Sequence, residues 1–324
     1  MNRRELLIGM TGSVLLPKYG YAQQGGPLIG WLSAGGLRGY RNLVISFRSA
    51  LAEEGFTEGR NLSMEFRWAD GQVERLPALA DSLLKQRPAV IIATGITSAL
   101  AIKKAKVDVP LLFFAGDDPI KLGLLTSLSR PDAGATGVAW LTSELVQKRL
   151  ELLRELLPPN PVIGFLVNHS SPEMRPQLEQ MQEAASRLAQ PIQVVSVGAE
   201  RELDNAFLEL SNQQVSALIV SNDPYFNTVR DAIISRAARH KMPTMYDRRE
   251  WATAGGLISY GTSYALAYRQ LAGYAAKVLK GIAVAELPIQ RAAKFELVIN
   301  LNAAKAIRLQ VPESLLLRAD EVIE

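Results

Sequence analysis

From Leu28 to Gly261 the chain repeats one pattern, a short apolar run followed by a stretch of helical period. The runs "LIGWLS" (28–33), "AVIIATG" (89–95), "PLLFFAG" (110–116), 162–167, 192–197, "ALIVS" (217–221) and "GLISYG" (256–261) are almost wholly apolar. Strands of that kind need cover on both faces, which is the situation of a parallel sheet flanked by helices. Between them lie helical stretches at 41–54, 77–86, 97–106, 120–128, 143–157, 173–188, 201–211 and 225–239, with a further short strand near Pro243-Thr244-Met245. In the first of these, Leu43, Phe47, Ala50 and Leu51 form a stripe that stops at Gly55. "NLSMEFRW" (61–68) alternates cleanly, with Leu62, Met64, Phe66 and Trp68 on one face and Ser63, Glu65 and Arg67 on the other, which completes a βαβ unit. Chains of 324 residues usually form two domains, and the pattern restarts after Pro158-Pro159.

The expected fold class is therefore α/β, two doubly wound parallel-sheet lobes. After residue 261 one more helix (264–280) and one more strand, "KFELVINL" (294–301), remain. If that helix returns to the first lobe and the strand to the second, the chain crosses three times and the joint is a three-segment hinge. The expected boundaries are 23–141 plus 262–288 for the first lobe, and 142–261 plus 289–324 for the second.

The N-terminal "MNRRELLIGMTGSVLLPKYGYAQ" has a basic start, an apolar stretch from Leu6 to Leu16 and a small-residue end at Ala22. These are the three parts of an export signal spanning 1–22, and the apolar stretch is too short for a membrane span. Arg3-Arg4 leaves both the general secretory and the twin-arginine routes open. The expected location is periplasmic, with the mature chain not inserted in a membrane.

Several chemistries are excluded by composition. There is no cysteine, so no disulfide, thiolate metal site or cysteine nucleophile is possible. The formal charge is only +4, and no run of Lys and Arg interleaves with aromatics, so no nucleic acid is expected as partner. His169 and His240 are the only histidines and have no partner at metal-ligand spacing. Glycines 30, 35, 36 and 39 do not make a dinucleotide fingerprint, and neither a P-loop nor a nucleophile elbow occurs. The chain is expected to have no catalytic residue, no cofactor and no metal.

What remains are polar and aromatic residues at strand ends, where open α/β sheets bind ligands. From the first lobe these are Ser33, Thr94, Gly95, Ser98, Gly116 and Asp117, whose hydroxyls and helix N-termini suit a carboxylate. From the second they are Asn168, Asp223, Tyr225, Phe226, Tyr246, Asp247, Trp251, Tyr260 and Tyr264, where each aromatic is either a ligand contact or ordinary packing. "FFAGDDPIKLG" (113–123) and "ALIVSNDPYF" (217–226) share an Asp-Pro that opens a helix. Asp118 and Asp223 are thus placed as N-caps, whereas capping does not account for Asp117.

The stretches "RWADGQVERLPALADSLL" (67–84), "FFAGDDPIKLGLLTSLSRPDAGATGV" (113–138), "QKRLELLRELLP" (147–158), "GGLISYG" (255–261) and "KFELVINLNAAKAIRLQVPESLLLRADEVIE" (294–324) resemble the ABC-transporter substrate-binding protein family. The resemblance implies a type I periplasmic-binding fold and delivery of a small solute to an ABC permease powered by an ATPase. Some members of that family are associated with aromatic amino acids. Where relatives commonly carry Pro-Asn after "SYG", this chain has Thr262-Ser263, so no asparagine contact is carried over. The expected partners are a small-molecule ligand, the permease and its ATPase, with the chain acting as a monomer. An exported ligand sensor that passes its bound form to a membrane receptor is the alternative.

Overall fold

The computed structural model describes residues 26–105, 108–116, 119–127, 134–139, 142–291 and 294–324. The export signal expected at 1–22, and Asp117 and Asp118, lie outside the described residues. Along the chain, β1 (Leu28–Ser33), α1 (Leu37–Glu53), β2 (Ser63–Trp68), α2 (Leu76–Leu84), β3 (Val90–Thr94), α3 (Ile96–Lys104), β4 (Leu111–Ala115) and β5 (Ala135–Ala139) build a first unit. The second is built by α4 (Thr142–Arg154), β6 (Ile163–Asn168), α5 (Met174–Arg187), β7 (Ile192–Val197), α6 (Leu203–Asn212) and β8 (Ala217–Val220). It continues through α7 (Pro224–Thr228), α8 (Arg230–Arg239), β9 (Thr244–Tyr246), α9 (Arg249–Thr253) and β10 (Ile258–Thr262). Then α10 (Tyr264–Leu279) and β11 (Gln290–Arg291) return to the first unit. The chain ends in the second with β12 (Phe295–Asn300), α11 (Leu301–Ile307), α12 (Glu313–Leu316) and β13 (Glu321–Ile323).

The first sheet runs β11-β5-β4-β3-β1-β2 and the second β13-β12-β10-β9-β8-β6-β7. Every pairing is parallel except β10 with β12. That exception follows from the path: β10 leaves the second sheet toward the first unit and β12 comes back from it, so they run opposite ways. Every residue of β3, β4, β5, β6 and β8 is buried, because helices cover both faces. β2 lies at an edge and keeps its alternation, with Ser63 and Glu65 exposed and Met64 buried. Helix α1 buries Leu43, Phe47, Ala50 and Leu51 together with Tyr40 and Val44, against α10. It stops where Gly55 turns to φ +93°.

Four expectations are corrected. Residues 120–127 form turns instead of a helix: Gly123 adopts φ +75°, and Leu124 and Leu125 donate their N–H groups back to Pro119 O. Strand β5 was not expected, because "ATGVA" is built of small residues around Gly137, where a Cβ would stand 2.0 Å from Phe113 O. The helix expected at 225–239 is two helices, α7 and α8, broken at Val229. The second lobe was expected to resume at residue 289, but Gln290 and Arg291 still pair with β5 in the first sheet.

Candidate functional site

The carboxyl ends of β3 and β4 in the first sheet face those of β6, β8 and β9 in the second. Gly95, at φ +87°, turns β3 into α3. Thr94, Gly95, Ile96, Phe114 and Gly116 form one wall of a small cavity, together with Tyr40 from α1 and Tyr264 from α10. Glu173, Asn222 and Pro224 of the second unit close it. A second cavity lies beside it, with Ala34, Gly71 and Thr97 on one side and Asn168, Ser171, Asp223 and Tyr225 on the other. Their volumes are only about 20 and 10 Å³, roughly the space of one water each. The cleft in this structure is shut.

Direct contacts hold it so. Thr97 Oγ1 donates to Glu173 Oε1 at 3.0 Å, and Gly36 N donates to Thr228 Oγ1 at 3.2 Å. Arg38 Nη2 lies 2.6 Å from Asp231 Oδ2 across the rim. The glycines of "SAGGLRGY" set how near the two units come. A Cβ on Gly35 would stand 2.9 Å from Pro224 O, and one on Gly39 2.9 Å from Asn227 Cβ. Gly71, at φ +85°, lies against the Tyr225 ring in the same way.

Charged groups crowd this junction. Burial pushes the Tyr40 hydroxyl up to about 12; Arg248 opposes that shift, while Asp223, Asp247 and Glu173 add to it. Burial likewise raises Tyr264 well above the usual phenol value, with Asp247 adding and Arg248 opposing. Asp223 is raised by burial against the bonds it accepts, which include Asn168 Nδ2 at 3.0 Å and Tyr225 N at 2.8 Å. Burial works to lower Arg248, but Asp247, Tyr264, Tyr40 and Glu250 outweigh it and the net shift is upward. Arg149 spends its donors on the carbonyls of Tyr260 and Asp247, tying α4 to the end of β10.

Several buried polar atoms here have no hydrogen-bond partner among the described residues: Thr94 Oγ1, Ser98 Oγ, Arg248 Nη2, Asp247 Oδ2 and Glu250 Oε2. Such groups are uncommon in folded proteins, and a cluster of them marks a place prepared for something else. Among the described residues no group of His, Asp and Glu gathers as metal ligands do.

Of the strand-end residues singled out in the sequence, Thr94, Gly95 and Gly116 lie on the first cavity's wall, and Asn168, Asp223 and Tyr225 on the second's. Tyr264 lines the first cavity, but from the first unit. Others are corrected. Ser33 Oγ accepts from Gly35 N and shapes the turn after β1. Phe226, Tyr246 and Trp251 are core of the second unit; Tyr246 stacks on Trp251 at 4.7 Å, and Trp251 Nε1 donates to Asn227 Oδ1. Tyr260 packs against the cores of both units, beside the crossing from β10 to α10. Two are not corrected: Ser98 is fully buried, its hydroxyl without a partner among the described residues, and Asp117 lies outside those residues. Sequence reasoning missed Tyr40, Glu173 and Arg248. Tyr40 ends the glycine-rich "SAGGLRGY" stretch, and Arg248 lies two residues past the short strand β9, so strand-end position was the signal available for the latter.

A family profile described as ABC transporter substrate binding protein matches residues 39–323. A tyrosine-binding protein of Clostridioides difficile is 24% identical over 264 residues, covering 82% of this chain and 76% of that one. Among solved structures, an ABC domain of Streptococcus pneumoniae in complex with L-Trp is similar with a TM-score of 0.82 at 22% identity, covering 92% of this chain and all of that one. A ligand-free, open substrate-binding protein with adhesive properties from Clostridium difficile gives 0.65, also at 22% identity, over 92% of this chain and 99% of that one. The shared fold is the type I periplasmic-binding fold.

Proposed function

Because the chain belongs to the ABC transporter substrate-binding protein family, we propose that it is the periplasmic solute-binding component of an ABC importer. It closes on a small carboxylate-bearing ligand, an aromatic amino acid or aromatic acid, and releases it unchanged to a permease and its ATPase. The observation that carries this reading is the meeting of strand-end loops from two sheets around buried hydrogen-bonding groups that the protein leaves unpaired. Thr94, on the cavity wall, offers its hydroxyl to the ligand's polar groups, while the Gly95 N–H is held by Phe114 O. Tyr40, Phe114 and Tyr264 supply ring surface on the cavity wall.

The two units act as lobes on a three-segment hinge, where the chain passes from β5 to α4, from β10 to α10 and from β11 to β12. Cavities of one water's size do not hold an amino acid, so the lobes part to admit it and close around it. Closure needs only tighter binding to the shut form than to the open one. The better agreement with the L-Trp complex than with the open, ligand-free relative, at equal identity, fits a shut conformation. Residues 1–22 direct export, and no helix among the described residues is long and apolar enough to cross a membrane.

Calorimetry and thermal-shift screening across amino acids, aromatic acids and short carboxylates test the proposal. A saturable, stabilised complex with an unmodified ligand is expected. Conversion of any of these compounds into product, with no stabilised complex, would refute it.

A further inference from the structure

Arg248 is 2% exposed and carries a charge that proteins do not titrate away. Its Nε lies 3.8 Å from Asp247 Oδ1, an ion pair too long for a hydrogen bond, and its Nη2 has no partner among the described residues. The guanidinium lies over the ring of Tyr264, 4.5 Å from the centroid, and 5.8 Å from that of Tyr40. Those two rings also line the cleft cavity. A buried guanidinium with an idle donor is costly unless an anion completes it, and a carboxylate matches its planar fork.

We propose that Arg248 reads the ligand's carboxylate and makes closure conditional on it, an inference that rests on the cleft being a solute site. The condition follows from where the parts sit. Arg248 belongs to the second lobe, whereas Tyr40 and Tyr264 stand on α1 and α10 of the first. Burying the guanidinium between those rings is therefore part of shutting the cleft. Asp247 already lies beside the guanidinium, so what a ligand carboxylate adds as the lobes meet is a partner for Nη2, and a ligand that lacks it leaves that donor unpaired. Arg248 is thus a specificity-determining residue that selects carboxylates over the matching amines.

The test uses L-tyrosine and L-tryptophan, with tyramine and tryptamine as partners lacking only the carboxylate, measured by calorimetry on the full chain. The wild-type protein is expected to favour the amino acids over the amines by at least roughly 100-fold. Arg248→Met should weaken the amino acids roughly 10- to 100-fold while leaving the amines unchanged, and Arg248→Lys should recover part of the loss. Circular dichroism and melting report whether each variant folds. Should Arg248→Met not fold, the wild-type preference and Arg248→Lys still decide. Amino-acid binding that Arg248→Met leaves intact, or amines bound as tightly as amino acids by the wild-type protein, overturns the role of Arg248 alone. Wild-type protein that binds none of the four overturns the aromatic-carboxylate reading as well.

Discussion

Gly39→Ala separates the lobe from the clamp. Gly39 lies in the first turn of α1, where an added methyl helps the helix by about 0.8–1.0 kcal/mol. In the shut structure, however, the new Cβ would stand 2.9 Å from Asn227 Cβ, 2.9 Å from its carbonyl oxygen and 3.0 Å from its carbonyl carbon. Carbon atoms prefer about 3.5–4.0 Å, so α1 and α7 must separate by roughly half an ångström or more. Two of the three near atoms are backbone, which cannot swing aside. Overpacking of this degree costs about 1–3 kcal/mol, and the cost falls only on the closed state. The expected result is a Kd raised about 5- to 150-fold for L-tryptophan or L-tyrosine by calorimetry. At the same time, the urea midpoint of ligand-free protein should be unchanged or raised. An unchanged or tighter Kd would refute the reasoning, because it would mean that α1 and α7 do not meet in the ligand-bound form.

Three further outcomes follow from the packing. Trp251→Ala removes a buried ring stacked on Tyr246 and bonded to Asn227, and should cost about 3–5 kcal/mol in urea unfolding. Asp223→Ala removes the cap on Tyr225 N and the partner of Asn168, and should cost about 1–3 kcal/mol by the same measurement. Asp223→Asn, which keeps an acceptor, should lose less. Tyr40 is raised from 10.0 to about 12, so its share of stability is in full below pH 10 and is lost as pH rises through 12. That share is about 2–3 kcal/mol. Absorbance titration should show Tyr40, Tyr246, Tyr264 and Tyr268 ionising at higher pH in folded protein than in denaturant, because burial raises all four. Their ionisation at the same pH in both states would contradict the burial described.

The fold was legible because buried parallel strands leave a strong signature. Runs such as "AVIIATG" admit few alternatives when helical stripes flank them. What escaped were β5, whose small residues centred on a glycine lack the bulk of the other runs, and the break at Val229 between α7 and α8, where no proline or glycine marks the interruption. The site was legible only as a set of strand ends. Position alone cannot tell Tyr225, which lies on a cavity wall, from its neighbour Phe226, which turns into the core; the register of a five-residue helix decides that. Arg248 was hard to pick out for a different reason. One of two arginines among charged neighbours in "YDRREW" reads as solvated, and its burial against Tyr40 of α1 and Tyr264 of α10 outweighs its place near a strand end. The glycines at 35, 39 and 71 looked like loop punctuation, and their purpose appears only when α7 is set against them.

The central claim is mechanical, and the absence of cysteine makes it directly measurable. Cysteines placed at the exposed positions Arg60 in the first lobe and Lys241 in the second would be the only two in the chain. Single-molecule energy transfer between labels there, followed during titration with L-tryptophan or L-tyrosine, should show long- and short-distance populations, the short one filling with saturation. A single distance that ligand binding does not shift would contradict the account.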